Sequence, residues 1–401
     1  MRVVHLSTTD FGGAYKAAVR ISKSMETVGV DSKVLVRTKT RIDTEGIEVI
    51  NTPLKKLISK TKNVGNLLLS EGEVISDYFG TDVSKNQYVK NADVVFLHWV
   101  NSFVSYHDVE KLMKLNKKII WVMHDMWLFT GGCHYDQYCG KYEVGCGNCP
   151  MLKNRKNKDI SYKNFIRKKQ MLNSGDIFLV GPSKWLVSCA KKSNIINQKR
   201  VFCIANPIDN KIFYFKNNKI KLREKFNLPN NKKIILFGAM KADYNENKGI
   251  RYLEEALKLL PKQKFMVVVF GNEDKKRKEY AIPTYYIGKI QEEDILSDLY
   301  NCADVFVAPS MQEAFGYTVC EALSCGTPVV AFPVGGILDQ VQHLKNGYLA
   351  KFKNIEDIAN GIEWAVRQPC DANGNLLNNN FENIGKEYIN ICRQVFVQKE
   401  N

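Results

Sequence analysis

The feature that most constrains this chain is an alternation, met twice, of apolar runs of strand length with amphipathic runs of helix length. In the first half, Arg2–Leu6, Ser32–Val36, Asp93–His98, Lys118–His124 and Ile177–Val180 have strand length. Ala14–Val28 has helical spacing there, with Ala17, Ala18, Ile21 and Met25 on one face. In the second half, Lys233–Phe237, Lys264–Phe270, Thr284–Ile287, Val305–Ala308 and Pro328–Phe332 read as strands. Gly249–Leu260, Gln291–Asn301 and Thr318–Cys325 read as helices. A strand apolar at successive positions, such as Ile119-Ile120-Trp121-Val122-Met123, has no face to offer water. Such strands belong to parallel sheets covered on both sides by helices. The simplest architecture is α/β, two doubly wound domains facing a cleft, with ligand expected beyond the strand C-termini.

A chain of 401 residues is also too long for one ordinary core. The turn-rich segment Ala205-Asn206-Pro207-Ile208-Asp209, after the strand Arg200–Ile204, is the natural boundary. It gives a first domain over 1–205 and a second over 206–375. The tail 376–401 contains Phe381–Val397, amphipathic through Ile384, Tyr388, Ile391 and Val395, and is expected to pack back on the first domain.

No run of roughly eighteen apolar residues suggests a membrane span. The opening residues turn polar too early for a secretory signal. A cytoplasmic protein is the expectation. The net charge is +16, and residues 153–169 carry eight Lys or Arg against the single acid Asp159. A second basic group, Lys55, Lys56, Lys60 and Lys62, lies beside Leu67, Leu68 and Leu69. These clusters read either as solvated faces or as peripheral contacts with an anionic membrane, at its inner face. No helix-turn-helix, RNA-binding signature or aromatic–basic platform accompanies them, so nucleic acid is not an expected partner.

The chemistry concentrates after the strand Val305–Ala308. The segment Glu313-Ala314-Phe315-Gly316-Tyr317-Thr318-Val319-Cys320-Glu321 reads as a loop opening a helix near Gly316–Val319. The first N–H groups of a helix have no intrahelical partner and form a ready anion site, and Gly316 permits close backbone approach. Glu313 stands ahead of that site and Glu321 about one turn into the helix. A nucleoside diphosphate held there would have one carboxylate to accept hydroxyls from a sugar and another to accept them from the ribose.

This segment, with the following Ala322-Leu323-Ser324-Cys325-Gly326-Thr327-Pro328-Val329-Val330, resembles the retaining GT-B glycosyltransferases of family 4. Their mark is two glutamates with seven residues between them, ahead of an Ala-Leu-x-x-Gly-x-Pro-Val-Val run. The Gly335-Gly336 pair and Asn346-Gly347 continue the pattern. The resemblance implies two Rossmann-like domains and transfer of a hexosyl residue, with retention, from a UDP- or GDP-sugar to a glycan or lipid-linked acceptor. It implies that Glu313 contacts the donor sugar, that Glu321 contacts the ribose, and that the backbone of Phe315, Gly316, Tyr317 and Thr318 holds the diphosphate. Lys248, in Asn247-Lys248-Gly249, would neutralise the leaving group. Members usually carry Arg directly after the glycine ending the preceding strand. Here Ala239 follows Gly238, and Lys241 is the nearest cation. Gly12-Gly13 resembles the family's glycine loop near acceptor and phosphate, although a glycine pair is also simply a turn. His124, ending an apolar strand, would lie near the anomeric centre, and His98 ends another. No cofactor is implied for catalysis, because helix dipole and cations replace a divalent ion at the diphosphate.

Cysteine usage departs from that pattern. Of eleven cysteines, four form Cys133-x5-Cys139-x6-Cys146-x2-Cys149 in a glycine- and tyrosine-rich loop over 131–150. Four thiolates so close in a cytoplasmic chain suit a structural tetrahedral zinc, with no open position for chemistry and His134 as a substitute ligand. Reduced thiols, an iron–sulfur cluster and disulfides remain the other readings. The functional expectation is a glycosyltransferase, in surface polysaccharide synthesis. The rival is a non-catalytic nucleotide-binding or zinc-dependent interaction protein on the same scaffold, and a phosphorylase is a further enzymatic alternative.

Overall fold

The computed structural model describes residues 1–40, 47–50, 80–238, 246–271, 279–367 and 378–397. The chain divides into two units, one of Met1–Pro207 with Phe381–Asn401 and one of Ile208–Asn380.

In the first unit, seven parallel strands are ordered β3-β2-β1-β4-β5-β6-β7. They are β1 (Arg2–Thr9), β2 (Asp31–Thr38), β3 (Ile47–Val49), β4 (Val94–Leu97), β5 (Lys118–Val122), β6 (Ile177–Gly181) and β7 (Val201–Cys203). In β4, Val94, Val95, Phe96 and Leu97 are all fully buried. That is why the strand reads as a continuous apolar run rather than an alternation. Each such side chain contributes roughly 1.5–3 kcal/mol by leaving water. The strand order changes direction between β1 and β4, and open α/β sheets bind ligands beyond the strand ends at such a point.

The second unit repeats this arrangement with six parallel strands ordered β10-β9-β8-β11-β12-β13. These are β8 (Lys233–Gly238), β9 (Phe265–Phe270), β10 (Thr284–Gly288), β11 (Val305–Ala308), β12 (Val329–Ala331) and β13 (Gly347–Leu349). Its switch point lies between β8 and β11.

Two doubly wound sheets are thus present, as the alternation predicts. The added edge strands β3 and β13 are three residues each, too short to register as a period. Among the described residues the helices are α1 (Gly13–Glu26), α2 (Gln87–Asn91), α3 (Tyr106–Lys114), α4 (Ile160–Asn173) and α5 (Lys184–Lys192) in the first unit's leading segment. The second unit adds α6 (Lys219–Lys225), α7 (Ile250–Lys258), α8 (Glu293–Cys302), α9 (Tyr317–Ser324) and α10 (Ile355–Ala365). The last helix, α11 (Phe381–Val397), packs on α1, with Ile384, Tyr388, Ile391 and Val395 all buried.

Side-chain caps set several starts. Ser105 and Asp108 form a capping box at α3, and Ser183 caps α5 through Leu186 N–H. The basic stretch 153–169 resolves into an exposed loop and the first turns of α4. Asp159, its one acid, caps that helix by accepting from Ser161 N–H and Tyr162 N–H. One of its eight cations, Lys168, turns fully inward. The second basic group, near Lys55 and Lys62, lies outside the described residues.

Candidate functional site

In the second unit, β11 ends at Ala308 and α9 begins at Tyr317, so residues 309–316 form the loop at the switch point. Gly316 caps the helix in the left-handed region, at φ 91° and ψ 64°. The helical ladder opens with Val319 and Cys320 N–H groups on Gly316 O, each at 3.1 Å. The amides of Tyr317 and Thr318 therefore have no intrahelical acceptor, at the positive end of the helix. Phe315 is buried, with its ring edge-on to Tyr317 at 5.2 Å.

Main-chain contacts lock this loop from both sides. On one side, Met311 N–H donates to Asn247 O at 2.7 Å. Gly249, at φ +62°, lies so close that a Cβ there would stand 1.8 Å from Pro309 O. On the other, Gly336 N–H donates to Glu313 O at 2.9 Å, and a Cβ on Gly335, at φ +52°, would stand 1.8 Å from the same oxygen. No other residue type fits either position without moving the loop. Gln340 Nε2 donates to Phe315 O at 2.5 Å, and Asn346 Nδ2 donates in turn to Gln340 O at 3.0 Å.

The segment bearing Lys248 is therefore fastened to the loop bearing Glu313, and the two side chains meet, Lys248 Nζ to Glu313 Oε2 at 3.0 Å. Both are partly exposed, so this pair contributes at most about 1 kcal/mol to stability. Glu321, by contrast, is 1% exposed on α9 and accepts from Tyr300 Oη at 3.3 Å. Lys241 lies outside the described residues.

In the first unit, the switch-point strands β1 and β4 and the adjacent β5 bring three histidines into a chain. His5 on β1 meets His98, just past β4, Nδ1 to Nε2 at 2.9 Å. His98 Nδ1 meets His124 Nε2, just past β5, at 3.0 Å. Burial pushes the His5 pKa down to about 3 and that of His124 down to about 4, the latter against the pull of Asp125. Burial, helped by the other two rings, holds His98 well below the ordinary imidazole value. All three are neutral at pH 7, one N–H each, so the N–H bonds must point the same way along the chain. His5 Nε2 is buried without a partner. A bare ring acceptor is tolerated better there than a bare N–H. That places the protons on Nδ1 throughout, with His5 donating to His98 and His98 to His124, leaving His124 Nδ1–H as the terminal donor. Gly12, at φ +88°, caps α1, and Gly13 is its first residue. A Cβ on either would meet nothing within 4 Å, so this glycine turn is open where Gly249 and Gly335 are crowded.

After His124, Asp125 turns the chain into the cysteine loop by accepting from Trp127 N–H at 2.7 Å and pairing with His134 Nδ1 at 3.1 Å. The His134 ring also lies tilted against Trp99, with centroids 4.5 Å apart. Cys133, Cys139, Cys146 and Cys149 line one cavity of about 20 Å³, together with Lys141 and Ser161. Burial pushes the Cys133 and Cys146 thiols up to about 12 and raises Cys139 and Cys149 as well. None of the four is in a disulfide. As the side chains stand, no group of three or more His, Cys, Asp or Glu among the described residues is arranged to hold a metal ion.

Sequence reasoning missed the residues that hold these groups in place. Tyr300 and Gln340 act through hydrogen bonds from elements distant in sequence, where no local pattern marks them, and Asn247, read only as part of Asn247-Lys248-Gly249, holds the loop through its carbonyl. His5 sits inside an apolar run and gave only the weak signal of a polar residue where the run demands none.

Residues 218–387 match the family described as glycosyl transferases group 1. An uncharacterized glycosyltransferase of Methanocaldococcus jannaschii is 31% identical over 193 residues, which cover 44% of this chain and 48% of that protein. The chain thus spans about half the length of that relative. Among solved structures, sucrose-phosphate synthase of Thermosynechococcus elongatus superposes with a TM-score of 0.66 at 17% identity, over 99% of both chains. HepE of Anabaena, solved with UDP-glucose, gives 0.64 at 16% identity, again over 99% of both. At such identities the likeness is one of fold. The chain has the GT-B fold of glycosyltransferases, and its residues 218–387 carry the sequence pattern of glycosyl transferases group 1.

Proposed function

We propose that this protein is a retaining, metal-independent hexosyltransferase using a UDP- or GDP-sugar, acting on a glycan or lipid-linked acceptor in surface polysaccharide synthesis. The observation that carries the reading is the loop 309–316, immobilised by main-chain contacts and ending on the helix start at Tyr317. In this reading the diphosphate sits on the amides of Phe315, Gly316, Tyr317 and Thr318, where fixed dipoles meet developing negative charge without reorganising. Lys248 and Glu313, paired with one another in the structure, exchange partners when donor binds: the ammonium turns to the phosphates and the carboxylate takes hydroxyl hydrogens of the sugar. Glu321, steadied by Tyr300, takes those of the ribose. Lys241 is assigned as the second phosphate cation, and Gly12-Gly13 as the backbone nearest acceptor and phosphate.

His124 is assigned to the positive charge at the anomeric carbon, its orientation fixed by His98. The acceptor oxygen forms its bond to that carbon on the face the phosphate leaves, and the departing phosphate oxygen takes the acceptor proton. The exposed cations Lys153, Arg155, Lys156 and Lys158 would add roughly 1 kcal/mol each on an anionic inner-leaflet surface.

The test combines binding with turnover. At 100 times its dissociation constant, a matching nucleoside diphosphate or its sugar should stabilise the protein by about 2.7 kcal/mol. Glu313→Gln should lower nucleotide-sugar turnover by about 100-fold or more while binding of the bare nucleotide persists. Binding without turnover in the wild type would instead support a non-catalytic nucleotide-binding protein. No thermal shift with any nucleotide would end both readings.

A further inference from the structure

The cysteine loop is not used by the transferase reading, and it has a chemistry of its own. Its four sulfurs line one cavity, with room for about one atom the size of a water molecule. A backbone amide is already directed at one of them, where Gly131 N–H donates to Cys146 Sγ at 3.1 Å. Such donors stabilise a thiolate far more than a thiol, because bonds to an ionised acceptor are roughly twice as strong. Two cations stand by. Lys141 Nζ borders the cavity and donates to Gly147 O and Asn148 O. The fully buried Lys168 is held by Trp127 O and Thr130 O within electrostatic reach of Cys133 and Cys146.

The backbone around the cavity is wound for the same end. Gln137, Tyr138 and Asn148 join Gly132, Gly140, Gly145 and Gly147 at positive φ. Left-handed conformation costs a non-glycine residue roughly 1–2 kcal/mol. The turn at Cys139 is fixed by Asp136, which accepts from Tyr138 N–H at 3.2 Å and Gly140 N–H at 3.0 Å. A small apolar cluster, Cys133, Cys149, Met151 and Leu152 with Ile160 against it, and the buried Tyr142 edge-on to Phe129 offset part of that strain.

We propose that Cys133, Cys139, Cys146 and Cys149, which line one cavity, bind one structural zinc ion as four thiolates, with the amide of Gly131 as a second-layer donor. The sulfurs need to close to Zn–S distances of about 2.3 Å, a step that χ1 rotation serves by moving each Sγ between staggered positions. A complete set of four sulfurs leaves no place for water or substrate, so the ion is structural. Two positive charges, Lys141 and Lys168, offset the net charge of about −2 on such a centre. The cavity has room for a single ion. His134 is not needed as a ligand, since Asp125 and Trp99 hold it.

The experiment uses the full-length wild-type protein, purified with reductant and without chelator. Elemental analysis should give about one zinc per chain, and exchange with cobalt should give the intense sulfur-to-metal absorption of a four-thiolate site. Cys139→Ser with Cys149→Ser should lose at least nine-tenths of the metal, while Cys203→Ser, at an exposed cysteine of β7, should keep it. Because the double variant could misfold, the wild type is also titrated with a mercurial in the presence of a zinc indicator. Release of one zinc as four thiols react supports the site. Four reactive thiols with neither zinc nor cobalt uptake, iron with acid-labile sulfide, or two disulfides would each overturn it. None of these readouts depends on transferase activity.

Discussion

Two loops of this chain leave the C-terminal ends of parallel strands and are held by opposite means. The loop 309–316, after β11, is fixed through the main chain, by the hydrogen bonds of Met311 and Gly336 and the close approaches of Gly249 and Gly335. The loop 131–150, after β5, is far longer and relies heavily on side chains, on Asp136, Asp159, Lys141 and the Gly131–Cys146 contact, beside main-chain bonds such as Asn148 N–H to Lys156 O at 2.8 Å. Main-chain fixation tolerates change at most side chains but not at the glycines that allow contact. Side-chain fixation tolerates backbone irregularity but can be undone one residue at a time. A rigid platform for a charged ligand favours the first device, and a long excursion whose regular structure is the short 3-10 turn Lys141–Glu143 needs the second.

Acid should separate the two units most strongly, because the neutral histidine chain belongs to the first. A ring whose folded pKa lies below its unfolded value leaves the unfolded state binding more protons, so stability falls as pH drops below about 6.5. At pH 5, each ring that stays neutral removes about 2 kcal/mol. The folded values, about 3 for His5 and about 4 for His124, put the end of this loss near pH 3 to 4. Unfolding of the first unit, followed by urea titration between pH 7.5 and 5, should show this slope, and His5→Gln should flatten it. Equal slopes in the two proteins would contradict the buried chain.

The next largest effect is expected at Gly335. An alanine there meets Glu313 O at 1.8 Å and strains a backbone at φ +52°. The expected cost is about 3 kcal/mol, or a melting point lower by roughly 6–12 °C for a unit of this size. Nucleotide binding should weaken with it, and the first unit should not respond. If Gly335→Ala melted like the wild type, main-chain fixation of the loop would be wrong.

These predictions also mark how far the sequence could be read. The sheets were legible because burial on both faces leaves runs such as Val94–Leu97 without a polar position. The loop 309–316 was legible because its chemistry is local: Glu313, Gly316 and Glu321 fall within a few residues, and glycine at a helix start has few other uses. What fixes that loop was not legible, since Gly335 and Asn247 reach it from other elements. The histidine chain was only partly visible. His98 and His124 end their strands, but His5 lies in the middle of one, and only the parallel register of β1 with β4 brings it to His98. Asp159 reads in sequence as a lone acid among cations, although it caps a helix and holds a cysteine amide.

A third prediction concerns the long loop. If the loop holds the proposed zinc, treatment with a chelator, or Cys146→Ser, should expose 131–150 to limited proteolysis, with cleavage about tenfold faster for each 1.4 kcal/mol of local stability lost. The thermal shift produced by a nucleoside diphosphate should be unchanged, because Lys248, Glu313, Glu321 and the amides of Phe315–Thr318 lie in the other unit and Gly12-Gly13 lie outside the loop. Loss of nucleotide binding together with the loop would show that the two fixations are not independent.

The smallest effect distinguishes the two duties of Asp159. One carboxylate oxygen accepts from Ser161 N–H at 2.9 Å and Tyr162 N–H at 3.2 Å, and the other accepts from Cys149 N–H at 2.8 Å. Asp159→Ala removes both functions and should cost about 1–2 kcal/mol. Asp159→Asn can keep its oxygen on the helix, but then turns an NH2 group toward the Cys149 amide, donor against donor. The asparagine variant should therefore retain the helix cap, lose less stability than alanine in urea, and still loosen the cysteine loop to protease as alanine does. Protection of the loop in Asp159→Asn would mean that the Cys149 amide is held by something other than this carboxylate.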